Sequence, residues 1–211
     1  MKFLSKIILF SFFMTASSFA ADGFSIGGRA SLNYNMLWGE EALKENNGFG
    51  FNAGGALLYQ INPMIAISPE ITFAYRVTYF NIFKSAFAAS PSNVSFTFLN
   101  LDIPVLARMQ VIQPVYFEIG PQLSLNLSAT SLTKSEINSQ TLESEGDIKD
   151  PSLAEFGLIF GVGKKFDIGT GLDVNFRFML GLTKAFETSE YLTKISGKMM
   201  MFHLGTTYWF I

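Results

Sequence analysis

The sequence predicts an all-β chain: an eight-stranded antiparallel up-and-down transmembrane β-barrel with a polar, side-chain-filled lumen. Three observations predict it. Long segments alternate apolar and polar residues with period two, and all four arginines fall on the polar phase. A secretory leader precedes a chain that is 49% hydrophobic, with mean hydropathy +0.30, yet no apolar run is long enough for a spanning helix. Long and short connections alternate along the chain.

The leader comes first. Lys2 and Lys6 form its basic region, Ile7 to Met14 its apolar core, and Ser18-Phe19-Ala20 its small-x-small cleavage site. Residues 1–20 therefore read as a cleaved signal peptide and 21–211 as one barrel domain. The apolar core is too short to span a bilayer, which needs about 20 residues.

Eight strands follow. In the first, about 24–38, Phe24, Ile26, Ala30, Leu32, Tyr34, Met36 and Trp38 oppose Ser25, Arg29, Ser31, Asn33 and Asn35. The second, about 48–60, sets Phe49, Phe51, Leu57 and Tyr59 against Asn52, Gly54 and Gln60. The third, about 64–80, sets Ile67, Ile71, Phe73 and Tyr75 against Ser68, Glu70, Thr72 and Arg76. In the fourth, about 95–111, Leu99, Leu101, Ile103 and Val105 oppose Asn100, Asp102 and Arg108.

The fifth, about 115–130, turns Phe117, Ile119, Leu123, Leu127 and Ala129 one way and Tyr116, Glu118, Gln122, Ser124 and Ser128 the other. The sixth, about 153–165, opposes Phe156, Phe160 and Val162 to Glu155, Gly161 and Gly163. The seventh, about 169–183, opposes Val174, Phe176 and Phe178 to Asp173, Asn175 and Arg177. The eighth, about 199–211, carries Phe202, Leu204, Tyr208 and Phe210 on one face. A tilted strand needs about 9–11 residues to cross a bilayer, and these meet that length.

Polar loops at about 39–47, 81–94, 131–152 and 184–198 alternate with tight turns at about 61–63, 112–114 and 166–168. An even strand count with this alternation is the layout of outer-membrane barrels of Gram-negative bacteria, and it places both termini with the turns, in the periplasm. Aromatic residues cluster near strand ends, as two interfacial girdles would require. Trp38, Phe49, Tyr79, Phe80, Phe96, Phe98 and Phe202 belong to the loop side. Tyr59, Tyr116, Phe117, Phe166, Tyr208, Trp209 and Phe210 belong to the turn side. Pro69, Pro104 and Pro121 sit within strands that cannot be edges of a closed barrel, so a line of bulges or a local break is expected at their height.

Without Lys2 and Lys6, the 15 basic residues fall to 13 against 17 acidic ones, which argues against a nucleic-acid partner. Cysteine is absent, so disulfides and thiolate metal sites are excluded. The candidate site is the inward charged set: Arg29, Arg76, Arg108 and Arg177 with Glu70, Asp102, Glu118, Glu155 and Asp173. An eight-stranded barrel is just wide enough for side chains to fill, so these groups should pair through bidentate Arg–carboxylate bonds. They form either a conduction or binding path or, as the preferred reading, a polar plug.

No catalytic, cofactor or metal-ligand set is expected. His203, the sole histidine, has no Ser or acid beside it on its strand and reads as a packed lumen residue. Gly161-Val162-Gly163-Lys164-Lys165 lacks the spacing and Ser/Thr of a phosphate loop, and its glycines read as room for bulky residues opposite. Glu136, Glu143, Glu145, Asp147 and Asp150 in the 131–152 loop fit no EF-hand spacing and read as a solvated charge run. Expected partners are outer-membrane lipid and a protein reached through the loops; a monomer is expected.

Leu101-Asp102-Ile103-Pro104, then Pro114 to Gly120-Pro121 with Leu123-Ser124-Leu125, resembles the middle of PorT-like outer-membrane β-barrel proteins. Phe156 to Gly163, Arg177-Phe178 and Gly181-Leu182-Thr183 resemble that family's later strands. The likeness covers roughly 24–211. It implies an eight-stranded outer-membrane barrel, and some members serve protein secretion and gliding. One departure is the ending Tyr208-Trp209-Phe210-Ile211: many outer-membrane barrels end in the Phe that assembly machinery reads, and here Phe is penultimate.

Overall fold

A computed structural model describes residues 23–38, 46–82, 92–137, 140–147, 152–188 and 195–210. The predicted leader and its cleavage position lie outside the described residues. The elements are β1 (Phe24–Trp38), β2 (Asn46–Asn62), β3 (Ile65–Ile82), β4 (Ser92–Ile112), β5 (Val115–Ile137), β6 (Gln140–Asp147), β7 (Ala154–Phe166), β8 (Leu172–Thr188) and β9 (Ile195–Trp209). Every pairing is antiparallel. Eight strands close a barrel in the order β4-β3-β2-β1-β9-β8-β7-β5, with β4 and β5 bonded to seal it. Closure leaves the barrel wall without a free edge.

The ninth strand corrects the sequence reading. The segment read as the 131–152 loop continues β5 to Ile137 and returns as β6, pairing Thr130 with Asp147 through Ile137 with Gln140. β6 takes the edge of β5 that β7 holds lower down, where Leu125 pairs with Ala154. The acidic residues Glu136, Glu143, Glu145 and Asp147 lie along this hairpin, and Asp150 lies outside the described residues.

Alternation decides what faces outward. Along the wall the outward positions are aliphatic, aromatic or small, with Leu32 at 67% and Phe49 at 65% exposure. Among the described outward positions the only charged side chains are Lys164, Lys184 and Lys198. Lys164 lies level with Val174 at the turn end; Lys184 and Lys198 lie at the loop end. From Val174 to Lys184 is ten residues of β8. Two of these are absorbed by the register shift after Leu180, since β9 covers the same span from Thr206 to Lys198. The regular span is about 26 Å along a strand, or about 20 Å along the axis at a tilt of about 40°, a little under the apolar band of about 25 Å expected of such barrels.

The prolines break ladders without bulging them. β3 pairs β4 at Pro69–Val105 and again at Thr72–Asp102, with the same register on either side of the gap. β4 and β5 behave alike between Pro104–Gln122 and Ala107–Ile119, as do β2 and β3 between Ala56–Glu70 and Tyr59–Ile67. Proline has no N–H to donate, so rungs are lost while the strands stay in step. Of the two expected devices, the local break is the one present. The Ser68 hydroxyl donates to the Leu57 carbonyl within one gap, at 2.8 Å. True register shifts lie elsewhere, near Leu99/Asn100, Gln110/Ile112, Gln60/Asn62 and Leu180 to Phe186.

One of those shifts overturns a facing assignment. Leu99 pairs with Ser128 but Asn100 with Asn126, so Leu127 is the extra residue. A bulge of one residue inverts the phase beyond it. Ser128 consequently faces out and Ala129 is buried, the reverse of the uninterrupted alternation.

Candidate functional site

The nine charged residues singled out in the sequence all lie on inward positions and are all buried. Counting round the barrel, β8 stands opposite β3. Arg177 of β8 reaches across that diameter. Its Nη1 and Nη2 donate to Glu70 Oε2 and Oε1 at 2.8 and 2.7 Å. The same guanidinium donates from Nε and Nη2 to Glu118 Oε1 and Oε2 at 2.5 and 3.1 Å. One arginine thus holds two carboxylates, each bidentately, which is the strongest geometry available to such pairs.

Two further arginines brace this centre. Arg29 Nε lies 3.2 Å from Glu70 Oε2, and its terminal nitrogens donate to Thr207 Oγ1 at 3.2 Å and Asn175 Oδ1 at 3.0 Å. Arg108 Nη1 donates to Asp173 Oδ2 at 2.8 Å, while its Nε lies 3.3 Å from Glu118 Oε2. The Arg108 guanidinium also lies over the rings of Tyr116 and Trp209, 4.7 and 5.4 Å from their centroids. A second group sits higher. Arg76 pairs with Asp102, Asn52 Nδ2 donates to the same Asp102 Oδ2 at 3.1 Å, and Asn33 Nδ2 donates to Asn52 Oδ1 at 2.6 Å. Glu155 stands within electrostatic reach of Arg76 and Asp102 but joins no ion pair among the described residues.

β7 has glycines where the cluster needs space. A Cβ on Gly161 would stand 2.7 Å from Glu118 Cγ and 3.0 Å from Arg177 Cγ. A Cβ on Gly163 would stand 2.3 Å from the Tyr116 ring. The Gly161–Lys165 stretch is therefore strand, cut away for its neighbours, and not a phosphate-cradling loop.

Four aromatics expected in the girdles face inward instead. Tyr116 and Trp209 floor the lumen at the turn end; Phe96 and Phe98 fill its loop end. Phase held the signal: Phe96 and Phe98 are in step with Asn100 and Asp102, and Tyr116 with Glu118. Phe96 and Phe98 join Leu37, Ala129, Met179, Ala185, Met199 and Met201 in an apolar cluster that Leu106 and Ile159 carry down the wall. The sequence reading did not assign these methionines.

Two cavities border the charged centre. One of about 100 Å³ opens at the turn end beside Arg108, Tyr116, Asp173, Lys165 and Trp209. The other, about 10 Å³, lies beside Arg29, Glu70, Arg177 and His203, with room for one water at most. His203 is level with Arg177 on β8, and its Nε2 has no hydrogen-bond partner.

Residues 15–187 match the family model described as outer membrane protein beta-barrel domain. The chain belongs to that family. Its wall of uncharged outward residues is accordingly the lipid face of a bacterial outer-membrane barrel, and its charged cluster lies in the lumen.

Solved outer-membrane barrels are similar to this chain at low identity. Neisserial surface protein A is 13% identical over 88% of this chain and 96% of its own, with a TM-score of 0.37. Ail, the attachment invasion locus protein of Yersinia pestis, is 14% identical over 90% and 99%, with a TM-score of 0.37. The translocator domain of the autotransporter NalP from Neisseria meningitidis is 8% identical over 97% and 95%, with a TM-score of 0.34. These sequences differ too far from this one for a role to carry across. No curated protein matches the chain.

Proposed function

We propose that this outer-membrane barrel is a closed anchor, without enzymatic activity, whose loop end makes surface contacts for a Gram-negative cell. In this reading residues 1–20 are removed on export, both termini are periplasmic, and the 21–211 domain works as a monomer. The observation that carries it is Arg177, which reaches across the barrel diameter to Glu70 and holds Glu118 as well. Side chains that bind each other across the lumen leave little to bind or pass a solute, and the apolar cluster above them adds a dry layer. The burial of His203 without a partner at Nε2 supports the absence of acid–base chemistry.

Planar-bilayer recording tests the closed lumen. Wild type is expected to give no unitary conductance, and a steady unitary current would replace the anchor with a narrow channel. A lipid-modification assay abolished by His203→Ala would replace it with a lipid-acting enzyme. A second reading rests on the PorT-like residues Leu101-Asp102-Ile103-Pro104 and Pro114 to Pro121: the barrel as one component of a secretion or gliding apparatus. Affinity purification from gently solubilised outer membranes separates the two. A stoichiometric complex favours the apparatus, and a barrel recovered alone favours the independent anchor.

A further inference from the structure

The three outward lysines are unevenly placed. Lys164 stands at the turn end with its Nζ 4.8 Å above the Phe166 ring. At the loop end Lys184 of β8 pairs directly with Lys198 of β9, and Lys198 pairs in turn with Trp38 of β1. The three residues form one row across three adjacent strands, all turned to the lipid side. Lys198 Nζ lies 5.2 Å from the Trp38 ring. Elsewhere on that rim the described outward residues, Asn47, Tyr79, Ser95 and Ser128, are uncharged.

Like charges directly opposite on neighbouring strands repel and destabilise the pairing. Two ammonium groups at the upper limit of an apolar band gain most from a doubly charged anion at that depth. Trp favours the same depth, where its ring meets head groups and its body meets acyl chains. Lysine stems lie along the wall and lift their charges to the interface. Lys184 makes a further contact of its own, and the site rests on the pairing of the two lysines on neighbouring strands, not on an unfilled cation.

We infer that Lys184, Lys198 and Trp38 form a docking site for the phosphate of a phosphorylated glycolipid in the outer leaflet. The inference rests on the proposed orientation, with the loop end facing the cell exterior. An inverted barrel would present the same row to the periplasmic leaflet. The chosen ligand is a glycolipid because its phosphomonoester carries up to two charges on one group. A phosphodiester head group carries one and matches a lysine pair less well.

The test is native mass spectrometry of the full barrel in mild detergent, titrated with bisphosphorylated lipid A, its dephosphorylated form, or phosphatidylglycerol. Wild type is expected to retain bisphosphorylated lipid A preferentially. Lys184→Gln with Lys198→Gln should weaken that retention roughly 30-fold, as two lost lysine–phosphate attractions imply. Lys164→Gln should leave it unchanged. Lys184→Arg with Lys198→Arg should preserve it, which keeps the test decisive if the glutamine variant does not fold. Equal retention by the glutamine variant, or equal retention of dephosphorylated lipid A, overturns the site. Phosphatidylglycerol bound as tightly as lipid A overturns the glycolipid assignment. Orientation is read separately. Gly146 is exposed, with no atom within 4 Å of a Cβ built there, and the chain has no native cysteine. Gly146→Cys should react with an impermeant maleimide on intact cells; lack of reaction on intact cells together with labelling after lysis refutes the orientation whatever the lipid result.

Discussion

The turn-side lumen and the loop-side lumen are lined by the same kind of position, inward residues of the same strands, yet they are filled by opposite chemistry. Toward the turns, Arg29, Arg108 and Arg177 interlock with Glu70, Glu118 and Asp173. Toward the loops, Phe96, Phe98, Met199 and Met201 pack against Leu37 and Ala129. Polar residues also persist at that level on the β1–β3 side, where Asn35 Nδ2 donates to Thr78 Oγ1 at 2.8 Å. The difference teaches that a narrow barrel lumen is an interior like any other. It must be filled, and it accepts either fully paired ions or close-packed apolar groups.

That comparison predicts where the barrel breaks. Arg177→Ala should have the largest effect, because it leaves Glu70 and Glu118 buried side by side without their shared cation. The expected loss is about 3–5 kcal/mol, read as the midpoint of urea unfolding in micelles. A midpoint within error of wild type would mean that the cluster does not hold the turn-side half together.

Phe98→Ala tests the other half by the same measurement. If the loop-side lumen is a packed core, truncation of this wholly buried ring should cost about 3–5 kcal/mol. A trivial cost would mark that half as loose filling. Leu204→Arg sets inside against outside: an arginine on the lipid face near mid-wall should cost about 2–4 kcal/mol in bilayers. If it folds as well as wild type, the outward face is not in hydrocarbon.

Ile159→Val probes the boundary between the two halves and should cost about 0.5–1.5 kcal/mol. The smallest expected change comes from extending the apolar half downward. Arg76→Met combined with Asp102→Leu should leave stability near wild type, since a buried ion pair often gains little over apolar packing. Arg76→Ala alone leaves Asp102 unpaired and should be clearly destabilising. A double variant as damaged as the single one would show that the second ionic group cannot be traded for packing.

Much of the fold was legible in advance because period-two alternation is a local property. It marked the lipid face, the inward phase of the arginines and the eight barrel strands. Where the reading failed, a non-local or competing cause was at work. Phe96, Phe98, Tyr116 and Trp209 were assigned by their aromatic character near strand ends, although strand phase pointed all four inward. Ala129 was misassigned because the bulge at Leu127 is set by pairing with β4. β6 went unread because its polar, acidic sequence has neither an apolar face nor a barrel position, and only its backbone bonds to β5 make it a strand.

Outside the bulge at Leu127, the sequence alone determined which residues meet lipid and which turn inward, since successive side chains of a regular strand point to opposite faces. It also supplied the four cations and five anions of the lumen. Only the closed barrel decided who holds whom. Arg177 and Glu70 are 107 residues apart and meet because closure places β8 opposite β3 and strand register brings both to one height. The same closure narrowed the interior until bulky apolar side chains had to fill its loop end, a demand of volume that no local pattern of residues expresses.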